Sequence, residues 1–272
     1  MYKEFFQLKE NPFNVTADSS FFFASSSHSE AYSHLVFGIE HRKGIIAISG
    51  EIGTGKTTLC RTLLNGLNKQ TKTAFILNPR FSDEEFLRVI LQDLGVTGKI
   101  KGKFELVTAL NEYLLEESSK GNNVVIIVDE AQNLSVEQLE SIRLLSNLET
   151  EKDKLLQIIL VGQPELEKKL RLPELRQINQ RIAVRYRVES LTKKEVHEYI
   201  QHRLKLAANN PDFGPQVQFT SPALYAIYRH TRGKPRMINI LCDRALLSGF
   251  VNGTDTINYR MINRCAKELF LR

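Results

Sequence analysis

Four short apolar runs punctuate the first two thirds of the chain: residues 44–49 (GIIAIS), 73–77 (TAFIL), 124–128 (VVIIV) and 156–161 (LQIILV). Each is five or six residues long and rich in β-branched side chains, the pattern of parallel strands covered on both faces. Helical periods lie between them. Ser82-Asp83-Glu84-Glu85 predicts a capping box ahead of Phe86, Leu87, Ile90, Leu91 and Leu94, with Gly95 as the stop. Ser135-Val136-Glu137-Gln138 predicts another helix, with Leu139, Ile142 and Leu145 on one face. Strand alternating with helix predicts a doubly wound α/β layout.

Beyond Glu189 the period changes and no further apolar strand run is expected. Val196, Tyr199, Ile200 and Leu204 form one helical stripe, and Leu224, Ile227 and Tyr228 a second. Met237, Ile240, Leu241, Leu246 and Leu247 form a third, and Ile262, Cys265 and Leu269 a fourth. A two-proline loop is expected at 209–215. The boundary falls at 189–191, giving an α/β domain over 1–189 and an all-helical domain over 190–272. Residues 1–28 hold Tyr2, Phe5, Phe6, Phe13, Phe21, Phe22 and Phe23, an arm too apolar to stay in solvent. Ala24-Ser25-Ser26-Ser27 reads as a turn into a helix starting near Ser29.

The 272 residues are 42% hydrophobic and 25% charged, which excludes a disordered or collagen-like chain and allows a large domain with a smaller one. There is no internal repeat. Cys60, Cys242 and Cys265 lie far apart without CxxC spacing, which argues against a disulfide scaffold or zinc site and fits a reducing compartment. No apolar run approaches the roughly 18–20 residues of a membrane span. Met1-Tyr2-Lys3-Glu4 lacks a signal-peptide layout, so a cytoplasmic location is expected. The net charge, 37 − 31 = +6, permits nucleic acid or acidic lipid as a partner without requiring either.

The strongest chemical signal is Gly50-Glu51-Ile52-Gly53-Thr54-Gly55-Lys56-Thr57, a G-x-x-x-x-G-K-[ST] loop between the first strand and a helix that continues through Thr58. Such glycines let the backbone N–H groups converge on phosphates, and the following helix points its positive end at them. Lys56 is expected to bridge the β- and γ-phosphates of a nucleotide, and the Thr57 hydroxyl to hold Mg²⁺. The third strand ends in Asp129-Glu130. Asp129 is expected in the Mg²⁺ shell and Glu130 as the general base that polarises the attacking water. Gln163, at the tip of the fourth strand, is a candidate for contact with the γ-phosphate or that water. Asn78, at the tip of the second, is a candidate restraint on Glu130.

Arginines cluster at Arg171, Arg176, Arg181, Arg185 and Arg187, and most read as a solvated face. In a ring or filament, the edge bearing Arg176 and Arg181 can face a neighbour's nucleotide, and Arg181 is the preferred candidate. Arg236, in Gly233-Lys234-Pro235-Arg236 at a helix start, is expected to reach back to the γ-phosphate and report nucleotide state.

Together these segments resemble the AAA+ ATPases, and within them the ExeA/GspA-type secretion ATPases. The likeness runs over essentially the whole chain. It rests on Tyr2-Lys3-Glu4-Phe5-Phe6 with Asn11-Pro12-Phe13, on Gly50 through Thr58, and on Val128-Asp129-Glu130-Ala131-Gln132-Asn133-Leu134. It continues through Leu145-Ser146-Asn147-Leu148-Glu149-Thr150, QIILVGQPEL at 157–166, LRQINQRI at 175–182 and Gly233-Lys234-Pro235-Arg236. The resemblance implies a P-loop AAA+ αβα sandwich with a parallel sheet, followed by a small all-helical lid. Gln163 then corresponds to sensor 1, Arg236 to sensor 2 and Arg181 to the arginine finger, while Asn11, Pro12 and Phe13 line the adenine pocket. It further implies ATP and Mg²⁺, assembly into a homo-oligomeric ring on ATP, and work with an inner-membrane partner of the GspB/ExeB type. That work would power or license assembly of the type II secretin. Family members continue into a membrane segment and a periplasmic peptidoglycan-binding domain. This chain stops at Arg272, so a cytoplasmic portion of a longer protein or a shorter paralogue is expected.

A second function, DNA-bound regulation of transposition of the TnsC/TniB type, shares the same core motifs, and the positive charge suits phosphate contacts. A GTPase would need N-K-x-D, but Asn68-Lys69-Gln70-Thr71 ends in Thr. A DEAD-type helicase would need a second RecA-like half, whereas the C-terminal pattern is helical.

Overall fold

The computed structural model describes residues 2–98, 100–149, 154–210 and 216–270. Strands β1 (Ile45–Gly50), β2 (Thr71–Ile76), β3 (Asn123–Val128), β4 (Gln157–Gly162) and β5 (Ile182–Val188) pair in parallel in the order β2-β3-β4-β1-β5. The α-helices are, in chain order, α1 (Tyr2–Phe5), α2 (Ser26–Glu40), α3 (Lys56–Gly66), α4 (Asp83–Asp93), α5 (Gly102–Ser119) and α6 (Val136–Leu145). They continue with α7 (Pro164–Leu170), α8 (Arg176–Arg181), α9 (Lys193–Ala207), α10 (Ser221–Thr231), α11 (Pro235–Val251) and α12 (Tyr259–Phe270). No helix among the described residues is long and apolar enough to cross a membrane. Contacts divide the chain into two compact units, one of Ser27–Glu51 and Leu59–Val188, the other of Met1–Ser26, Ile52–Thr58 and Glu189–Arg272.

In the first unit the four expected strands form, each bounded within two residues of its apolar run. β1 and β4 are buried at every position, as a central parallel strand must be. Ser82 and Ser135 both close reciprocal capping boxes, with Glu85 and Gln138, and so fix the starts of α4 and α6. Phe86, Leu87 and Ile90 of α4 and Leu106, Leu110 and Leu114 of α5 share one core with Ile126, Val128, Ile158 and Leu160 of the sheet. The sequence pattern missed β5. Among the described residues it pairs only with β1, and only Ile182 and Val188 at its ends are buried while Arg185 and Arg187 are exposed. An edge strand satisfies one neighbour and leaves its outer face to water, so it shows no continuous apolar run.

The second unit holds α9 to α12, and all four helical stripes form helices. Two corrections arise here. The aromatic arm, assigned on sequence to the α/β domain, has Phe6, Leu8, Phe13 and Phe21 in one core with Val196, Ile200, Leu204, Leu241 and Leu246. Burying four large side chains stabilises by roughly 1.5–3 kcal/mol each, which is why the arm settles against helices rather than solvent. The unit is also not wholly helical, because β6 (Gln218–Phe219) and β7 (Thr256–Ile257) form a short parallel pair. On the third stripe Leu247 is exposed, and Ile238, Cys242 and Ala245 take the inner face with Leu241 and Leu246. α2 starts at Ser26, three residues before its expected start, because the Glu195 carboxylate accepts from the Ser26 N–H (3.0 Å) and hydroxyl (2.9 Å). Thr150 and the loop prolines Pro211 and Pro215 lie outside the described residues.

Candidate functional site

Because every strand of the sheet is parallel, their carboxyl ends share one edge, and the polar residues that follow them are brought together there. Asp129 follows β3. Its N–H donates to the Ile76 carbonyl at 2.9 Å, its Oδ1 accepts from the Glu130 N–H at 2.9 Å, and it is 2% exposed. Glu130 takes the left-handed conformation, φ 54° and ψ 37°, which an ordinary side chain adopts only where surrounding bonds dictate it. The Glu130 carboxylate meets the 3-10 turn Ala131–Asn133 through the Gln132 side chain.

Two amides hold that carboxylate. Glu130 Oε2 accepts from Gln163 Nε2 at 2.9 Å and from Gln132 Nε2. The Gln132 Oε1 in turn accepts from the Gln163 N–H at 3.0 Å. Lys169 of α7 pins the turn from below, donating to the carbonyls of Gln132 and Leu134, each at 2.7 Å. Gln163, expected to contact the γ-phosphate or the water, meets the Glu130 carboxylate through its side-chain amide. Among the described residues Asn78 makes no hydrogen bond to the Glu130 carboxylate. At φ 52° in the turn after β2, its Oδ1 accepts from Asn133 Nδ2 at 3.1 Å, one residue beyond the amide that does the restraining. Sequence reasoning missed Gln132 and Lys169, since the left-handed turn at Glu130 that brings Gln132 alongside has no signature in Asp-Glu-Ala-Gln.

β1 ends at Gly50 on the same edge and leads into the glycine loop. Gly53 and Gly55 hold φ of 79° and 97°, Thr54 is buried, and Lys56 opens α3, an eleven-residue helix, with 7% exposure. Positive φ at two glycines is the backbone condition under which successive N–H groups can converge on an anion. The Arg236 N–H donates to the Gly53 carbonyl at 3.2 Å, and a Cβ on Gly53 would lie 2.8 Å from the Arg236 Cβ. Arg236 is therefore joined to the loop through its backbone, with its side chain exposed.

In the arm, Pro12 and Phe13 are buried and Asn11 is half-buried. The Phe13 ring is edge-on to Phe219 at 6.4 Å and so belongs to the core. This stretch is fixed by Arg203, a residue the sequence did not single out. Its Nε donates to the Pro12 carbonyl and its Nη2 to the Asn14 carbonyl at 3.4 Å. Arg181 ends α8 and is exposed, with Nη1 on Asn147 Oδ1. The register pairs Ile45 with Ile182 and Gly50 with Val188, so Arg181 lies at the opposite end of β5 from the residue paired with Gly50, about 17 Å by strand rise.

Residues 39–170 match the model of the AAA domain. That stretch of the chain is similar to the AAA domain. The ExeA/GspA-type resemblance holds as well: over 270 residues, 99% of this chain, it is 40% identical to general secretion pathway protein A of Aeromonas hydrophila. The chain spans about half the length of that relative, 48%. Among solved structures the fold is similar to Cdc6p of Pyrobaculum aerophilum, with TM-score 0.69, 18% identity and coverage of 93% of this chain and 71% of that one. It is also similar to the RuvB Holliday junction branch migration motor of Thermotoga maritima, with TM-score 0.61, 18% identity and coverage of 96% and 74%. The Aeropyrum pernix ORC2 protein, solved with ADPNP and ADP, matches with TM-score 0.61, 16% identity and coverage of 89% and 66%. At these identities the structures speak for the AAA+ fold alone.

Proposed function

We propose that the chain is an ATPase that hydrolyses ATP at the glycine loop and uses the cycle to power or license secretin assembly with an inner-membrane partner of the GspB/ExeB type. One observation carries the chemistry: at the sheet edge where β1 runs into the loop, Glu130 has both amide donors on Oε2, while Oε1 has no hydrogen bond among the described residues. Oε1 is then the atom that takes the water proton. The water oxygen bonds to the γ-phosphorus, the bond from that phosphorus to the bridging oxygen breaks, and ADP leaves with the oxygen.

The loop residues suit the phosphates. Backbone N–H groups of Glu51, Ile52, Gly53, Thr54 and Gly55 face them, with Thr58 in the first turn of α3 behind, and Lys56 bridges β and γ. Thr57 and Asp129 would hold Mg²⁺, which when bound neutralises phosphate charge. Gln163 contacts the γ-phosphate or the water, and Arg236 reports occupancy from the helical unit, the lid of this reading. Asn11, Pro12 and Phe13 border the adenine, chiefly through backbone, given that the Phe13 ring is packed. Arg181 acts on a neighbouring copy's nucleotide in a homo-oligomeric ring. The secretion role is drawn from the relative, which is general secretion pathway protein A.

The test is ATP turnover against protein concentration, with and without duplex DNA. Rate per subunit rising with concentration and indifferent to DNA is expected. Strong, salt-sensitive stimulation by DNA would favour the transposition-type reading instead. Glu130→Gln should retain ATP and stop turnover, and Lys56→Ala should lose ATP binding. A Glu130→Gln protein that turns over normally removes the base from its role.

A further inference from the structure

Gln132 has a side-chain arrangement that its position alone does not require. A backbone N–H can only donate, so the Gln163 N–H at 3.0 Å fixes Oε1 of the Gln132 amide toward β4. That leaves Nε2 as the group facing Glu130 Oε2, where it donates. The amide therefore cannot flip without breaking both bonds. Its surroundings are shaped for it. Gly162 leaves the space, since a Cβ there would come within 3.0 Å of Gln132 Oε1 and 2.9 Å of Leu166. Lys169 holds the Gln132 carbonyl, so the residue is pinned at main chain and side chain alike.

We propose that Gln132 is the positioning residue for Glu130, a bridging amide that sets the carboxylate by reference to the tip of β4, where Gln163 meets the γ-phosphate. The inference rests on the reading of Glu130 as the base. Any displacement of the β4 tip moves the Gln163 N–H, and the Gln132 amide passes that movement to Oε2 while Oε1 stays directed at the water. Sensing and proton transfer then act as one unit built from two neighbouring strands. Among the described residues, Asp129, bonded to the Glu130 N–H, and Lys169, on the turn carbonyls, are charged groups bonded to this turn, and both persist when Gln132 is replaced.

Gln132→Glu separates this role from a structural one. It is isosteric and keeps an acceptor for the Gln163 N–H, but it replaces the donor with a second carboxylate against Glu130. Two carboxylates in contact repel, so the Glu130 carboxylate loses the bond that sets it. In the intact chain, kcat should fall about tenfold or more, while KM for ATP and binding of a non-hydrolysable analogue stay within about twofold. Gln132→Ala should lower kcat with the same unchanged KM, its fold checked by circular dichroism. If Gln132→Glu matches the parent in kcat, the proposal is overturned. If the parent is active and Glu130→Gln is too, the failure belongs to the underlying reading of Glu130 and not to Gln132.

Discussion

Arg203 is 5% exposed, and none of its hydrogen-bond partners among the described residues is a carboxylate. Its guanidinium instead reaches three oxygens: Nε to the Pro12 carbonyl, Nη1 to the Tyr199 hydroxyl at 2.9 Å, and Nη2 to the Asn14 carbonyl at 3.4 Å. Its face lies 4.7 Å from the Phe21 ring centre and 5.6 Å from that of Tyr199. Asn239 closes the network, accepting from Tyr199 at 2.8 Å and donating to Asn14 at 3.0 Å. Arg203→Lys keeps the charge and loses the planar fork. One ammonium can serve one or two of the three acceptors, so at least one buried oxygen loses a charged donor at about 1.5–3 kcal/mol, and stacking on Phe21 weakens by about 0.5–1 kcal/mol. The expected loss is about 2–4 kcal/mol, or roughly 6–12 °C in the unfolding midpoint at about 3 °C per kcal/mol. Thermal unfolding by circular dichroism gives the first number, and amide exchange at Phe13 to Val15 shows whether the arm has loosened. A variant that melts within about 1 °C of the parent, with the arm equally protected, refutes the idea that the guanidinium fork holds Asn11, Pro12 and Phe13.

Three further outcomes are expected. Burial pushes the Glu195 carboxyl up, but hydrogen bonds from Thr192 and Ser26 outweigh it and hold the group at about 2 against an ordinary 4.5. A depressed value stabilises the fold above pH 4.5 and is lost as pH falls toward 2. Solvent screening of this partly exposed group leaves about 1–2 kcal/mol, so parent and Glu195→Gln should differ by that amount from pH 7 to 5 and converge below 4.5, whereas a gap unchanged at pH 3.5 would contradict it. Gly233→Ala places a methyl 1.9 Å from the Leu191 carbonyl oxygen at φ 72° and disturbs the 2.9 Å bond from the Leu191 N–H to the Gly233 carbonyl. It should cost about 3 kcal/mol or more in chemical unfolding, and a neutral result would show that the turn has room to shift. Arg181→Ala should slow hydrolysis only in assembled protein, and equal slowing in dilute monomer would exclude action across subunits, since within one chain the residue starts about 17 Å from the strand tip.

The residues that could be read from sequence are those whose role is local. A capping box spans four positions and an apolar strand five or six, so Ser82, Ser135 and four of the strands declare themselves, while the glycine loop from Gly50 to Thr57 and the acid pair after β3 stand out as local patterns. β5 does not, because a strand with one neighbour needs only its ends buried. The arm was legible as apolar but not as to its destination. Phe6 and Phe13 pack on helices about 190 to 240 residues further along, and no local pattern encodes which surface receives them.

The polar partners follow the same rule more sharply. Gln132 and Gln163 are 31 positions apart, and they meet only because β3 and β4 pair in register, from Val125 opposite Gln157 to Val128 opposite Leu160, which sets both strand ends at one level. Shift that register by one residue and the strand faces reverse, so the Gln163 amide would leave Glu130. The spacing of Asp129-Glu130 within the sequence therefore indicates that a base can exist there, while its aim depends on a strand pairing chosen by Ile126, Ile127 and Val128 for packing. On this argument a core substitution that slips β3 against β4 should impair hydrolysis with every catalytic side chain still present, and retained nucleotide affinity would distinguish such a slip from loss of the loop.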